Sequence, residues 1–247
     1  MNLAVDIGNS FAKLALLEEG QIVDTFRTAL ADEAFFASVL RDYPTVDRAI
    51  LLSSRGDVPD VERWLAKQIP HFIRFDASVP VPIRNGYATP ETLGPDRLAA
   101  AVGARSIYPD APVFVVDFGT AITLDLVTAD GEYLGGNISP GVAMRFHALH
   151  DHTRTLPLCE LPQHTETIGR NTSAAIESGV VLGIVREVEG YIRELEERYS
   201  GLKIIFTGGD ANYFAKRLKS AIFATCDLVV YGLNTILEYN AKLLQTR

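Results

Sequence analysis

The sequence predicts an α/β protein in two related halves, each a mixed sheet flanked by helices. Three observations lead there. Short apolar runs bounded by turn residues alternate with stretches of helical periodicity. Two of these runs, Leu3-Ala4-Val5 and Val113-Phe114-Val115-Val116, end alike, in Asp6-Ile7-Gly8-Asn9 and Asp117-Phe118-Gly119-Thr120. The echo then stays in register, because Gly20 stands to Gly131 as Asp6 stands to Asp117 and Gly8 to Gly119. A repeat of that length marks a duplicated supersecondary unit: strand, tight turn, strand, hairpin turn, strand. Pro112 marks the boundary, giving expected domains 1–112 and 113–247.

The elements follow in order. Strands are expected at Asn2–Val5, Ala12–Leu17 and Gln21–Thr28, then a helix over Asp32–Arg41 with Asp32 as N-cap. A short buried strand, Ala49–Ser53, precedes a helix over Asp60–Gln68 that holds the only tryptophan, Trp64, as a core aromatic. The stretch Val79–Gly94 is rich in proline and ends in Gly94-Pro95-Asp96-Arg97. Glycine before a proline at the first helical position starts a helix, and the alanine-rich run to about Tyr108 continues it. After the second signature, Gly135-Gly136-Asn137-Ile138-Ser139-Pro140-Gly141 reads as two glycine clusters around a short strand. Helices are expected over Val142–His150 and Thr172–Tyr199, the latter with Gly179 and Gly183 one turn apart. The chain closes with a strand at Lys203–Phe206, a helix over Ala211–Ala221, a strand near Leu228–Val230 and a helix from Leu233.

Composition narrows the class. With 247 residues and 47 % hydrophobic content the chain can bury real cores. A formal net charge of −8 without a basic stripe disfavours a nucleic-acid partner. It leaves room for an anionic substrate at a locally basic site. Cys159 and Cys226 have neither metal-ligand spacing nor a disulfide framework. The N-terminus opens on a strand, and no apolar run approaches the roughly 20 residues of a membrane helix. The expectation is a cytoplasmic protein with no membrane partner.

The turns carry the chemistry. A carboxylate at a strand end beside a tight glycine turn can hold a metal ion or its waters, and the glycine lets backbone N–H groups approach phosphate oxygens. Two such turns would clamp a nucleoside triphosphate. Thr207-Gly208-Gly209 follows a strand, so its backbone could lie against an adenosine. Asp96 sits in the first turn of its helix, where the N-terminus and Arg97 favour the ionised carboxylate. Such a carboxylate can accept the hydrogen of a substrate hydroxyl and aim its oxygen at phosphorus. It can equally serve only to stabilise its helix. His147, His150 and His152 read as a solvated helix end rather than a zinc site, since the third lies past the helix.

On Asp6-Ile7-Gly8-Asn9-Ser10, Gly94-Pro95-Asp96-Arg97, Asp117-Phe118-Gly119-Thr120-Ala121 and the glycine segment 135–141, the chain resembles the type III pantothenate kinases. Ile168-Gly169-Arg170-Asn171-Thr172, Ser178-Gly179, Thr207-Gly208-Gly209-Asp210-Ala211 and Asp227-Leu228-Val229 extend the resemblance over nearly the whole chain. These kinases belong to the superfamily of acetate and sugar kinases, Hsc70 and actin. The resemblance implies a duplicated ribonuclease-H-like, actin-like ATPase fold with ATP in an interdomain cleft. It implies transfer of the γ-phosphoryl of ATP to the 4'-hydroxyl of pantothenate, the first step of coenzyme A synthesis.

The resemblance also implies site residues. Asp6, Ile7, Gly8, Asn9, Ser10, Phe11, Ala12 and Lys13 match the phosphate-binding stretch, and Thr120 a further ATP contact. Lys13 takes no role from its charge alone, and Asp210 has no evident task. Asp117 matches the ligand of a monovalent cation, K⁺ or NH₄⁺. Tyr87, Gly94, Pro95, Asp96 and Arg97 match the pantothenate contacts, with Asp96 as proton acceptor. Thr172 matches a contact supplied by the neighbouring subunit, which implies a homodimer with the long glycine-bearing helix at its interface. From the residues themselves, Gly208 and Gly209 are expected at the adenosine. Asp6 is expected to hold Mg²⁺ directly or through water. Two rivals fit the same fold. A polyphosphate-type phosphatase needs a glutamate near the second signature, where none occurs before Glu132, and a non-catalytic nucleotide-binding regulator has no need of Asp6, Asp96 and Asp117 together.

Overall fold

The computed structural model describes residues 1–8, 11–218, 222–225 and 227–245. In chain order the elements are β1 (Asn2–Ile7), β2 (Ala12–Glu18), β3 (Gln21–Thr28), α1 (Glu33–Asp42), β4 (Arg48–Ser53), α2 (Pro59–Gln68), β5 (His71–Arg74), β6 (Arg84–Asn85) and α3 (Pro95–Ile107). There follow β7 (Val113–Phe118), β8 (Ala121–Val127), β9 (Glu132–Pro140), α4 (Val142–Asp151), α5 (Thr172–Arg198), β10 (Lys203–Thr207), α6 (Ala211–Ala215), β11 (Ile222–Ala224) and α7 (Leu228–Gln245). They form two compact units. Unit 1 is Met1–Asp110, Val127–Gly135 and Asp227–Arg247, and unit 2 is Ala111–Leu126 and Gly136–Cys226. The first passage between them falls close to Pro112, but the last helix belongs to unit 1.

Unit 1 is built on a five-stranded sheet in the order β3-β2-β1-β4-β5. The pairs β1–β2 and β2–β3 are antiparallel, while β1–β4 and β4–β5 are parallel. Successive side chains point to opposite faces of a strand, so each strand feeds two cores. Leu3, Val5, Leu14, Leu16 and Leu51 pack with Phe36, Val39 and Leu65 of α1 and α2. Ala4, Ala15, Leu17, Ile50 and Leu52 pack with α3 and α7. The α3–α7 crossing is close: a Cβ on Gly232 would stand 1.8 Å from the Ala99 carbonyl oxygen, and one on Gly103 would stand 2.4 Å from that of Leu228. Only residues without a side chain fit there.

Unit 2 holds the strands β11-β10-β7-β8-β9, with β7 and β11 both parallel to β10. The short β6 pairs in parallel with the first residues of β9, Glu132 and Tyr133, within unit 1. Phe118 is the centre of unit 2's core, with ring centroids 4.7 Å from Phe214 and 4.8 Å from Phe206. The apolar stripe of α5, from Ile176 through Val180, Ile184 and Val188 to Ile192, lies against the same core.

The echo read in the sequence is physical. β1 and β7 are the same length with the same pattern of burial, buried throughout except for a half-buried aspartate. Gly20 and Gly131 both hold the left-handed conformation, at φ 78° and 80°. Asp32 caps α1 by accepting the Phe35 N–H at 2.9 Å, and Trp64 is partly buried with its ring 6.4 Å from Phe36.

Several expectations are corrected. Leu228–Val230 is not a strand but the first turn of α7, whose buried Leu228, Val230, Leu233 and Ile236 are spread round a helix enclosed on most sides. The strand before it lies at Ile222–Ala224. α6 ends at Ala215, where the Arg217 N–H turns back to Phe214 O, and residues 219–221 lie outside the described ones. The glycine segment is no isolated strand but the continuation of β9 to Pro140. β5 adds a four-residue edge strand that the sequence pattern does not predict.

Candidate active site

In unit 1 the candidate residues converge on the sheet face that carries α3 and α7. Asp6 stands directly across from Lys13 in the β1–β2 register. The turn between these strands is closed by the Gly8 N–H donating to Phe11 O at 3.0 Å. A Cβ on Gly8 would be only 3.2 Å from that oxygen. Ile7 and Ala12 flank the turn and are buried, whereas Phe11 is 46 % exposed. The Lys13 ammonium is ion-paired with Asp227, the residue before α7. Asn9, Ser10 and Cys226 lie outside the described residues.

Asp96 enters from the start of α3. Gly94 precedes this helix and accepts the N–H groups of Arg97 and Leu98 on its carbonyl, at 3.1 and 3.2 Å. The Asp96 carboxylate folds back to accept the Arg97 N–H at 2.9 Å. It occupies the space beside Gly94, where a Cβ would be 2.6 Å from Oδ1. Pro95 is the first residue of the helix. Lost hydration and the nearby Asp96 charge push the Asp6 carboxyl up to about 7, against a smaller opposing pull from Lys13. A carboxyl this reluctant to ionise wants a cation beside it, and its hard oxygen donors suit a divalent ion such as Mg²⁺.

Beyond Asp96, Arg97 is buried, with its guanidinium 5.7 Å from the Tyr87 ring centroid. Tyr87 is set by its N–H on Asn85 Oδ1 at 3.0 Å and by the Tyr133 ring at 6.1 Å. Gly135, at φ 112°, admits the Tyr87 ring, which a Cβ would meet at 3.1 Å. Tyr87, Arg97 and Asp96 thus line one region of unit 1.

In unit 2 the second signature and the Thr207-Gly208-Gly209 turn meet, because Thr207 pairs with Asp117 across β10 and β7. Gly208, at φ 90°, approaches so closely that a Cβ would be 2.3 Å from Asp117 Oδ1. Gly209 faces open space. Gly141 packs on the turn itself and donates its N–H to Thr120 O at 3.2 Å. A carboxylate held beside backbone in this way offers oxygen donors to a cation. Thr172 lies elsewhere, at the start of α5, in a groove of about 880 Å³ lined also by Arg145, Arg170 and Gly179. Among the described residues no three His, Cys, Asp or Glu side chains are grouped to hold a metal, and His150 instead bonds Leu156 O at 2.8 Å.

The Lys13–Asp227 pair shows in no local sequence pattern, because its members are so distant in the chain. The packing of Gly141 on the second turn is hidden in the same way.

The fold places the chain in a class. It resembles a solved structure from Campylobacter jejuni described as a Baf family transcriptional activator, at 24 % identity and TM-score 0.63, covering 97 % of this chain and 99 % of that one. It also resembles a 2-dehydro-3-deoxygalactonokinase from Sinorhizobium meliloti at 14 % identity and TM-score 0.56, covering 99 % of each. The architecture is that of the actin-like ATPases and sugar kinases. Within that class, the family model for type III pantothenate kinase matches residues 2–194. A type III pantothenate kinase from Phocaeicola vulgatus is 42 % identical over 243 residues, 98 % of this chain and 100 % of that one. The chain belongs to the type III pantothenate kinase family.

Proposed function

We propose that the protein transfers the γ-phosphoryl of ATP to the 4'-hydroxyl of pantothenate, giving 4'-phosphopantothenate for coenzyme A synthesis. The observation that carries this is the pairing of Asp6 and Asp96 at the ends of β1 and α3. It supplies one carboxylate for a metal and one for a hydroxyl. Asp96 accepts the hydrogen of the pantothenate hydroxyl and aims its oxygen. Tyr87, Gly94, Pro95 and Arg97 hold the rest of the substrate. Asp6, Ile7, Gly8 and Asn9 through Lys13 form the phosphate-binding stretch, and Thr120, Gly208 and Gly209 contact the nucleotide. Kinases of this family use ATP with a divalent metal. Here Asp6 would hold Mg²⁺ and Asp117 a monovalent cation, K⁺ or NH₄⁺. Together these ions offset charge on the phosphates.

The reading extends to a homodimer in which Thr172 serves the neighbouring subunit's site. Its support is the open groove at Thr172 and the helix face at Gly179, where an added Cβ would meet nothing within 4 Å among the described residues. Cytoplasmic placement belongs to the same reading, and among the described residues no helix is long and apolar enough to cross a membrane.

The test is ADP release from Mg-ATP with and without pantothenate and K⁺, beside Asp96→Asn. Removing a positioned proton acceptor should lower kcat roughly 10²- to 10⁴-fold while nucleotide binding stays intact. ADP release that ignores pantothenate would instead identify a hydrolase.

A further inference from the structure

The nucleotide turn has a basic neighbour that no part of the kinase reading uses. The register places Asp6 opposite Lys13 and Lys13 opposite Arg27, in one row across β1, β2 and β3. Residues directly opposite across a sheet share a face, so Arg27 lies on the face that bears Asp6. It is on the outermost strand and exposed. Its guanidinium carbon stands 4.1 Å from the centroid of Phe11, the exposed aromatic at the turn. Among the described residues Arg27 takes part in no carboxylate salt bridge.

Charge around the turn makes this position informative. A polyphosphate arriving there meets the carboxylates of Asp6, Asp96 and Asp227. Against these three, Lys13 supplies one ammonium, already paired with Asp227. The Arg27 guanidinium is the cation of the row that no carboxylate claims. A guanidinium stacked on a ring keeps its planar edge available, and that edge matches two phosphate oxygens at once. We propose that Arg27 is a further phosphate-binding residue, held over the nucleotide turn by Phe11 and engaging the polyphosphate of ATP. This rests on the kinase reading for the identity of the nucleotide, and its test separates the two.

The test compares wild type, Arg27→Met, Arg27→Lys and Phe11→Leu, each first checked for an unchanged melting temperature. ATP, ADP and AMP are titrated by calorimetry, and KM is measured for both substrates. Losing one charge-assisted contact should weaken ATP about tenfold, with ADP less affected and AMP nearly unchanged. KM for ATP should rise in proportion while KM for pantothenate holds. Lysine should restore part of the loss, and Arg27→Met should cost less in the Phe11→Leu background, where the platform is already gone. Equal losses for ATP and AMP, or an ATP affinity within about twofold of wild type, would overturn the assignment. If wild type fails to phosphorylate pantothenate but Arg27→Met still loses ATP selectively over AMP, the kinase reading falls and the phosphate contact stands. A wild type that binds no ATP overturns both.

Discussion

At the scale of single residues, Asp210 shows how one half-buried carboxylate ties stability to pH. It stands at the start of α6, with its N–H on Phe118 O at 3.2 Å, and loss of hydration raises its carboxyl pKa. A carboxyl raised on folding resists ionisation, so it costs stability wherever the unfolded chain would ionise it freely. The cost is present above the folded pKa, shrinks as pH falls through it, and vanishes below the unfolded value of about 4. Asp210→Asn should therefore raise the melting temperature at neutral pH, and the gain should close as the buffer is taken toward pH 4. A gain that persisted unchanged in acid would mean that the asparagine acts by bonding, not by relief of a charge. Asp6 is raised in the same sense, to about 7, by lost hydration first and the nearby Asp96 charge second.

At the scale of elements, the crossing of α3 and α7 links core packing to the site. Asp96 is aimed by the first turn of α3, and α3 is seated by its glycine contact with α7. Gly232→Ala would drive a methyl into the Ala99 carbonyl and force the helices apart, costing about 1–3 kcal/mol. The expected result is a lower melting temperature together with a lower kcat, as Asp96 shifts. If Gly232→Ala lost stability but kept full kcat, the crossing would not be what aims Asp96. The same elements show what was legible in the sequence. β1, β7 and the starts of α1, α3 and α5 were readable because local signals set them: an apolar run, a capping side chain, a glycine-proline start. The β-branched Val229-Val230 pair pointed to a strand, and packing on α3 overrode that preference. The aspartates and glycines of the site were legible as motifs. Their partners were not, because Lys13–Asp227 and Asp117–Gly208 come together only through pairing of distant segments.

At the scale of the whole molecule, the chain leaves unit 1 after Asp110, builds unit 2 with one excursion back at Val127–Gly135, and returns at Asp227 to complete unit 1. Unit 1 is therefore unfinished until α7 is made. That helix buries Leu228, Val230, Leu233, Ile236 and Leu237. At about 1.5–3 kcal/mol for each such side chain, their sum is comparable to the 5–15 kcal/mol that holds an ordinary domain together. It also satisfies Asn2, whose buried amide donates to Asn234 Oδ1 at 2.8 Å and Glu238 Oε1 at 2.6 Å. Without α7 that amide exchanges both bonds for water, a net loss of about 1 kcal/mol each, and Ala4, Ala15 and Ile50 lose their cover. A chain ending at residue 226 should thus lose cooperative folding of unit 1 while the Phe118 core of unit 2 keeps its own packing. Hydrogen exchange would read this directly. Amides of β1, β2 and β4 should exchange at rates near those of an unfolded chain, and amides of β7 and β10 should stay protected. Protection of β1 equal to that of the full chain would show that the sheet stands without its last helix, and that α7 covers a core already closed.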